Sequence, residues 1–511
     1  MPVRHLAALL IIALAALQPT TAHVHRQLLI IVDGLRPDYV TPNVMPNLVA
    51  LGKRGVMFEH HHSVFPTVTR VNAASIATGA YPQSHGLLGN SVFFPKVDAT
   101  KFLDTADRES LLKVARAEGR LLTAPTLAEM LRDAGRRLLV VSSGSAGSAL
   151  LNNPTVAGGA ILHFQFAEPA QYMEDLERLG PLPKADARDG SLDRFAVDAF
   201  LKVGIPKVDP SVTIMWLSDL DTAAHAHGVG TPATIATLEH VDNDIKIVLD
   251  GLSAAHLLDD YDIWVSSDHG FSTYTGAPDV SALLQPYMRA LPDGSPRIVA
   301  NGGAVYVRDG DEATISAITG TLQRTAGIGA IFTRAATPWQ FEGHVPGTLS
   351  FDAIRWQHDR SAQILYSPDW TDAANADGRP GTTASRGTAG HGSSSPWDVH
   401  NTAIAAGPDV RSGRTIQTPS ANVDFAPTFL ELLGIAIPSS IEGRSLREAL
   451  TTRDQQASPT VRPFDATTRT ADGTYALTAA FSIVQSAGKE YRYFDRTTVV
   501  RQPRSERDNP R

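Results

Sequence analysis

The chain has 511 residues, 43% of them hydrophobic and 19% charged, which is enough for a large buried core and typical of a globular protein. Its formal net charge of −8 excludes a nucleic-acid duplex held along a basic surface, so any attraction for an anion has to be local. The absence of cysteine excludes disulfides, thiolate zinc sites and cysteine nucleophiles, and leaves 17 histidines as possible imidazole ligands.

Arg4 precedes an apolar run from Leu6 to Leu17, followed by QPTTA with small residues at Thr20 and Ala22. That layout predicts a signal peptide over residues 1–22, too short to span a bilayer, and an exported mature chain, periplasmic or secreted. An uncleaved anchor is the alternative. Gln27 to Val32 is a continuous apolar run that suits a buried parallel strand, and it ends in Asp33 and Gly34. In open α/β sheets the carboxyl ends of the strands are where ligands bind, although an aspartate there can equally be a turn former. MPNLVALGKRG, residues 45 to 55, predicts a short amphipathic helix. His60 to His62 are consecutive, and neighbours in an extended segment point to opposite faces, so they are predicted to be structural or surface residues.

Residues 65 to 90, FPTVTRVNAASIATGAYPQSHGLLGN, hold a predicted helix from Asn72 that Gly79 closes. Thr69 then precedes a helix start, where free N–H groups and the dipole favour an anion. A threonine hydroxyl needs a base, a lowered pKa or a metal to act as a nucleophile, and a plain helix cap is the alternative. Residues 91 to 125 read as polar and irregular. A helix from Leu127 to Ala134, a strand from Leu138 to Val141, the helix DRFAVDAFLKV and the strand VTIMWLSD follow. The last leads to Asp221, His225 and His227, oxygen and imidazole donors of the kind zinc accepts, with His227 the spare. After a long helix, DIWVSSDHG ends in Asp268, His269 and Gly270. Three strand ends thus carry an aspartate, and α/β topology brings such ends to one edge.

Signals weaken over residues 271 to 370. The Gly-, Ala-, Ser- and Thr-rich stretch 371 to 398 reads as a linker or an active-site loop, with His391 between Gly390 and Gly392. HNTAIAAGPDV predicts a strand and SANVDFAPTFLELLGIAIP a capped helix. The core is expected to end near Leu450, leaving 451–511 as a C-terminal extension of uncertain order with one strand-like segment, YALTAAFSIVQ.

Taken in order, IIVDGLRPD, MPNL, FPTVTRVN, TGAYPQSHGLLGN, Asp221-x-x-x-His225-x-x-Gly228, VSSDHG, the GHG around His391 and NVDFAPTFLELLGI resemble the nucleotide pyrophosphatase/phosphodiesterase family of the alkaline phosphatase superfamily, across roughly residues 27 to 450. The resemblance implies an α/β fold, an alkaline phosphatase-like three-layer αβα sandwich around a mostly parallel sheet. It would form one catalytic domain over 23–450 with insertions near 91–210 and 271–390. It implies two divalent ions, one held by Asp33, Thr69, Asp268 and His269 and the other by Asp221, His225 and His391. Zinc suits this mixture, and manganese or iron would accept similar ligands. Thr69 would be the nucleophile, and Asn90 would hydrogen-bond a phosphoryl oxygen. The chain departs from the family at Arg70 and Val71, where an aromatic residue and a proline are common, and around Asp221, where the usual proline and glycine are missing.

The chemistry implied is phosphodiester or pyrophosphate hydrolysis through a phosphothreonine, on a small anionic phosphoester such as a nucleotide. Three aspartates and a threonine alkoxide balance two divalent ions, which suits a singly charged diester better than a dianionic monoester. Related threonine-nucleophile monoesterases carry a Lys-x-Arg pair after the strand matching Leu138 to Val141. Here Ser142 to Asn153 contains no basic residue, leaving Arg70 as the candidate cation. A phosphomonoesterase, phosphonate hydrolase or sulfatase on the same metals is the alternative, and a silent binding protein of the same fold a second one. Tyr81, Phe93 and Phe94 are aromatic candidates for a base slot, with core packing the favoured reading for all three.

Overall fold

The structure is a computed structural model, and it describes residues 24–451 and 459–502. The signal-peptide reading of residues 1–22 lies outside the described residues.

Nine strands form the central sheet: β1 (Arg26–Val32), β2 (Val56–Phe58), β3 (Leu138–Ser142), β4 (Ala160–His163), β5 (Phe166–Glu168), β6 (Val212–Leu217), β7 (Tyr261–Ser266), β8 (Ala403–Ala406) and β9 (Arg414–Ile416). Their spatial order is β9-β2-β8-β7-β1-β6-β3-β4-β5. The five strands from β7 to β4 run parallel, while β8 and β5 add antiparallel neighbours on either side. β1 sits in the middle, with Leu29 opposite Trp264 on one side and Ile214 on the other.

The apolar run of β1 has to be continuous because both faces of the sheet are covered. Leu29 and Ile31 enter one core, and Leu28, Ile30 and Val32 the other. On the second face the helix Pro232–Ala254 contributes Leu238, Val241, Ile245, Val248 and Leu252, a stripe at helical spacing. On the first face lie the helices Thr69–Thr78 and Phe425–Leu432. The result is a three-layer αβα sandwich around a mostly parallel sheet.

The helix Thr69–Thr78 explains its own composition. Every residue in it except Arg70 is buried, so only small side chains fit on all its sides. It closes at Gly79 in the left-handed region, φ 63°, as expected. It starts three residues before the predicted Asn72, with Val68 as its extended N-cap.

The stretch 91 to 125 is not wholly irregular: it holds the helix Arg108–Glu118, capped by Asp107, whose carboxylate accepts from the N–H groups of Glu109 and Ser110. Only Leu111 and Val114 of that helix are buried, so its apolar signature is faint.

The C-terminal stretch carries three long strands, β10 (Thr460–Arg469), β11 (Tyr475–Ser486) and β12 (Lys489–Arg501), paired antiparallel. Phe464, Phe481 and Phe494 cluster on the inner face, and the Phe494 ring packs, tilted, 5.2 Å from that of Phe65, four residues before Thr69. Two of these strands escaped the sequence reading because alternate residues face solvent and are polar, which dilutes the apolar signal of β10 and β12.

Candidate metal and phosphoester site

The proposed ligands come from five separate segments that meet beyond the carboxyl ends of β1, β6 and β7. Asp33 follows β1 directly, and Asp268 lies two residues beyond β7. Asp221 is not at a strand end but in the first turn of the helix Asp219–His227, so Asp221 and His225 form an i, i+4 pair on one helix face. Their spacing carried that information; the short helix after VTIMWLSD was not foreseen.

His391 arrives through strand pairing. Ser272–Tyr274, the strand just after Asp268-His269-Gly270, pairs antiparallel with Ala389–Gly390, Ser272 opposite Gly390. That register sets the His391 ring face to face with His269, centroids 3.4 Å apart. A Cβ on Gly390 would stand 2.0 Å from the Tyr274 hydroxyl, which is why only glycine fits before His391. The segment 371 to 398 is therefore built into small strands at the site.

The distances bring together all seven predicted ligands. Thr69 Oγ1 lies 3.3 Å from His269 Nε2. The same Nε2 is 3.1 Å from Asp268 Oδ2 and 3.4 Å from Asp33 Oδ1. Asp221 Oδ1 is 3.3 Å from His225 Nε2 and 3.4 Å from His391 Nε2. Ligand atoms of Asp33, Asp221 and His269 also lie within 4.8 Å of one another, so the two groupings share one cavity wall. His227, the spare candidate, is exposed and takes no part.

The supporting contacts orient each donor inward. Nδ1 of His225, His269 and His391 lies 2.9 Å from the carbonyls of Ala389, Gly270 and Thr67, respectively. A carbonyl only accepts, so each Nδ1 is the N–H donor and each neutral ring turns its Nε2 lone pair toward the carboxylates. Trp216 Nε1 donates to Asp33 Oδ2 at 2.9 Å, and the Gly34 N–H donates to Asp268 Oδ1 at 3.2 Å. Asp33 Oδ1, Asp221 Oδ1 and Asp268 Oδ2 are buried and receive no hydrogen bond among the described residues.

This constellation of lone pairs facing lone pairs has a direct electrostatic cost. Burial first, then the Asp268 and Asp221 charges, push the Asp33 carboxyl well above the usual carboxylate range. Burial and the Asp221 charge push Asp268 up to about 7. Burial, reinforced by His391, pushes the His269 imidazole well below its usual range. Burial also works against the Asp221 carboxylate, and protons on His225 and His391 would outweigh it and hold Asp221 well below that range. The tautomers fixed by the carbonyls leave those Nε2 atoms bare in the neutral rings, so the charge that satisfies Asp221 has to come from elsewhere. Carboxylates and imidazoles converging without a donor fit divalent cations of the zinc type.

Asn90 and Arg70 flank Thr69. The Arg70 N–H in the first helical turn donates to Asn90 Oδ1 at 3.1 Å, which leaves the Asn90 NH₂ without a protein acceptor among the described residues. The Arg70 guanidinium stands 3.9 Å from Asp104, and its Nε is buried with no partner among the described residues.

Beside the site opens a cleft of about 650 Å³, whose walls include Asn90, His391, Phe102, Tyr306, Trp356 and Tyr366. Tyr81, Phe93 and Phe94 are at most 9% exposed and none lines the cleft; they pack the core. The aromatic walls belong to segments with weak sequence signals, which is why they were missed. Trp216 was missed because it reads as one more core residue of β6.

A family model described as type I phosphodiesterase / nucleotide pyrophosphatase matches residues 27–386. Among curated proteins, a mouse bis(5'-adenosyl)-triphosphatase is 39% identical over 84 residues, covering 16% of this chain. A venom phosphodiesterase of Macrovipera lebetinus is 24% identical over 251 residues, covering 47% of this chain. The chain spans only 18% and 24% of the length of those two relatives. Among solved structures, murine ectonucleotide pyrophosphatase/phosphodiesterase 5 superposes with a TM-score of 0.61 at 15% identity, covering 83% of this chain and 100% of that one. The alkaline phosphatase PafA gives 0.65 at 17% identity, covering 84% and 99%. These two likenesses show the alkaline phosphatase-like fold.

Proposed function

The chain belongs to the type I phosphodiesterase / nucleotide pyrophosphatase family, a family of phosphoester hydrolases, and we propose that it is an exported two-metal hydrolase of phosphodiester or pyrophosphate bonds that works through a phosphothreonine on Thr69. The observation that carries this reading is the convergence of Thr69 Oγ1 with His269 Nε2, Asp33 Oδ1 and Asp268 Oδ2, of which the two carboxylate oxygens are buried with no donor among the described residues.

Asp33, Thr69, Asp268 and His269 would hold one divalent ion and Asp221, His225 and His391 the other. Such a pair supplies Lewis-acid charge neutralisation at the attacking and leaving oxygens of an in-line displacement. Thr69 Oγ1 would attack phosphorus as the oxygen opposite departs, leaving a phosphothreonine that keeps the substrate's second ester group; water from the vacated side would then break the Thr69–phosphorus link, releasing a monoester and restoring the hydroxyl. The first turn of the helix Thr69–Thr78 directs its N–H groups and positive dipole end at the phosphoryl group. Asn90, held by the Arg70 N–H, donates its free NH₂ to a non-bridging oxygen. The aromatic-walled cleft of about 650 Å³ has room for a nucleotide-sized leaving group.

The absence of basic residues from Ser142 to Asn153 favours a diester. Arg70, with its Nε unpartnered beside Thr69, is the one feature that favours a monoesterase instead. Hydrolysis of bis-p-nitrophenyl phosphate against p-nitrophenyl phosphate, with zinc added or withheld, tests the reading. Faster diester turnover that requires both zinc and Thr69 supports it. Faster monoester turnover moves the assignment to a phosphatase using Arg70, and activity unchanged in Thr69→Ala overturns it.

A further inference from the structure

His61 and His62 sit on a short strand, His61–His62, that pairs with His400–Asn401. In that antiparallel ladder His62 is directly opposite His400, so the two imidazoles leave the same face, and their ring centroids are 4.5 Å apart. The C-terminal sheet covers this face and brings Asp495 of β12 onto the pair. His61 points the other way, into hydrogen bonds with Ser420 and Asn422.

The hydrogen bonds of His62 pose a charge problem. Its Nδ1 lies 2.9 Å from the Ser420 carbonyl, so Nδ1 carries the proton and the neutral ring has a bare lone pair at Nε2. That Nε2 is 2.7 Å from Asp495 Oδ1. A lone pair and a carboxylate oxygen at that distance repel unless a cation lies between them, either a second proton on His62 or a metal. The next side chain argues for the metal. The His400 ring stands 4.5 Å from the His62 ring and makes no hydrogen bond among the described residues, so it has a nitrogen to offer as well. One ligand atom from each of His62, His400 and Asp495 lies within 4.8 Å of the others. Tetrahedral zinc with bonds of about 2.0–2.1 Å sets adjacent ligands near 3.3 Å apart, so loading would open the 2.7 Å His62–Asp495 contact slightly and keep all three atoms within that span. The remaining Asp495 oxygen, Oδ2, accepts from Ser482 Oγ at 3.0 Å, a hydrogen bond of the kind that orients a carboxylate ligand.

We propose that His62, His400 and Asp495 form a further divalent-metal site of the zinc type, distinct from the catalytic residues, that fastens the C-terminal sheet to the catalytic layer. Two imidazoles and one carboxylate from the protein would leave the fourth position to water. The site does not depend on the two-metal reading of the catalytic centre, because its test reads a difference between variants.

The test uses the full chain, loaded with zinc and dialysed, with metal content per chain measured by mass spectrometry in the wild type, His400→Phe and Asp495→Asn. His400→Phe keeps an aromatic ring on the inner face and removes only the ligand; Asp495→Asn keeps the shape. The expected result is one zinc fewer per chain in each variant, with diester turnover unchanged, and a zinc-dependent rise in Tm that is larger in the wild type. Loading with cobalt gives a second readout, a tetrahedral absorption band reduced in both variants. Equal metal content in all three proteins would overturn the proposal and leave a proton, not a metal, between His62 and Asp495. If one variant fails to fold by circular dichroism, the other decides.

Discussion

Trp216 and Asp33 are joined across neighbouring strands: the indole N–H on β6 donates to Oδ2 of the carboxylate that ends β1, at 2.9 Å. The bond satisfies one oxygen and leaves the other, Oδ1, aimed at His269. Trp216→Phe keeps the apolar contact of a fully buried side chain but frees the carboxylate to rotate. Metal affinity should fall by about 10–100-fold, the usual effect of losing a partner that orients a ligand. Competition with a chelating dye measures it, and an unchanged affinity would remove Trp216 from the account of the site.

Thr69→Ala should lower diester turnover by about 10³-fold or more while metal content stays within one ion of the wild type, because only the attacking oxygen is lost. Thr69→Ser, which restores a hydroxyl, should recover part of the activity. Trapping with acid after a single turnover should show the substrate's phosphoryl group, still carrying its second ester, on the wild-type protein and none on the alanine variant.

Asn90→Ala removes the free NH₂ that faces the phosphoryl position and the acceptor of the Arg70 N–H. A charge-assisted hydrogen bond made to the transition state contributes about 1.5–3 kcal/mol, so kcat/KM should drop by roughly 10- to 100-fold. The drop should fall mainly on kcat. A change confined to KM would mean that Asn90 holds the ground state only.

Acid should destabilise the fold below neutrality. Burial pushes His61 and His85 down to about 3 and His163 down to about 4. The unfolded chain therefore takes up protons below about pH 6.5 that the folded chain refuses, so stability falls as pH falls through that window. Between pH 7 and 5 each of these histidines can cost up to about 2 kcal/mol. Urea unfolding of chelated protein at the two pH values measures the loss, and His163→Gln should flatten the slope.

Phe481 on β11 is 1% exposed and belongs to the same apolar core as Leu29 and Phe65. Phe481→Ala should cost about 3–5 kcal/mol, the range for an aromatic side chain removed from a core. Denaturation followed by tryptophan fluorescence should remain a single transition. Two separate transitions would show that β10 to β12 unfold apart from the central sheet.

What the sequence made legible follows from how each signal is generated. A parallel strand buried on both faces writes itself as an unbroken apolar run, so β1, β6 and β7, and with them Asp33 and Asp268, could be read directly. The i, i+4 spacing of Asp221 and His225 was visible, but the helix that produces it is only nine residues long with few apolar positions to mark it. His391 could be named only through the family pattern, because its position depends on a pairing between residues 272 and 390 that no local periodicity encodes. Strands β10 and β12 were hidden by their polar outer faces, and with β12 Asp495, whose meaning depends on a strand more than four hundred residues away.

The central place of β1 also bears on how the chain is made. Its two hydrogen-bonding neighbours, β6 and β7, begin only at Val212 and Tyr261, so β1 has no native strand to pair with until about 180 further residues have been made. At a synthesis rate of about 5–20 residues per second that wait is roughly ten seconds or more, during which a strand with both edges open and six of seven residues destined for burial is exposed. Nascent chains of this protein should therefore depend on a holding chaperone, and a ribosome stalled before residue 212 should present Gln27–Val32 as its chief aggregation-prone segment.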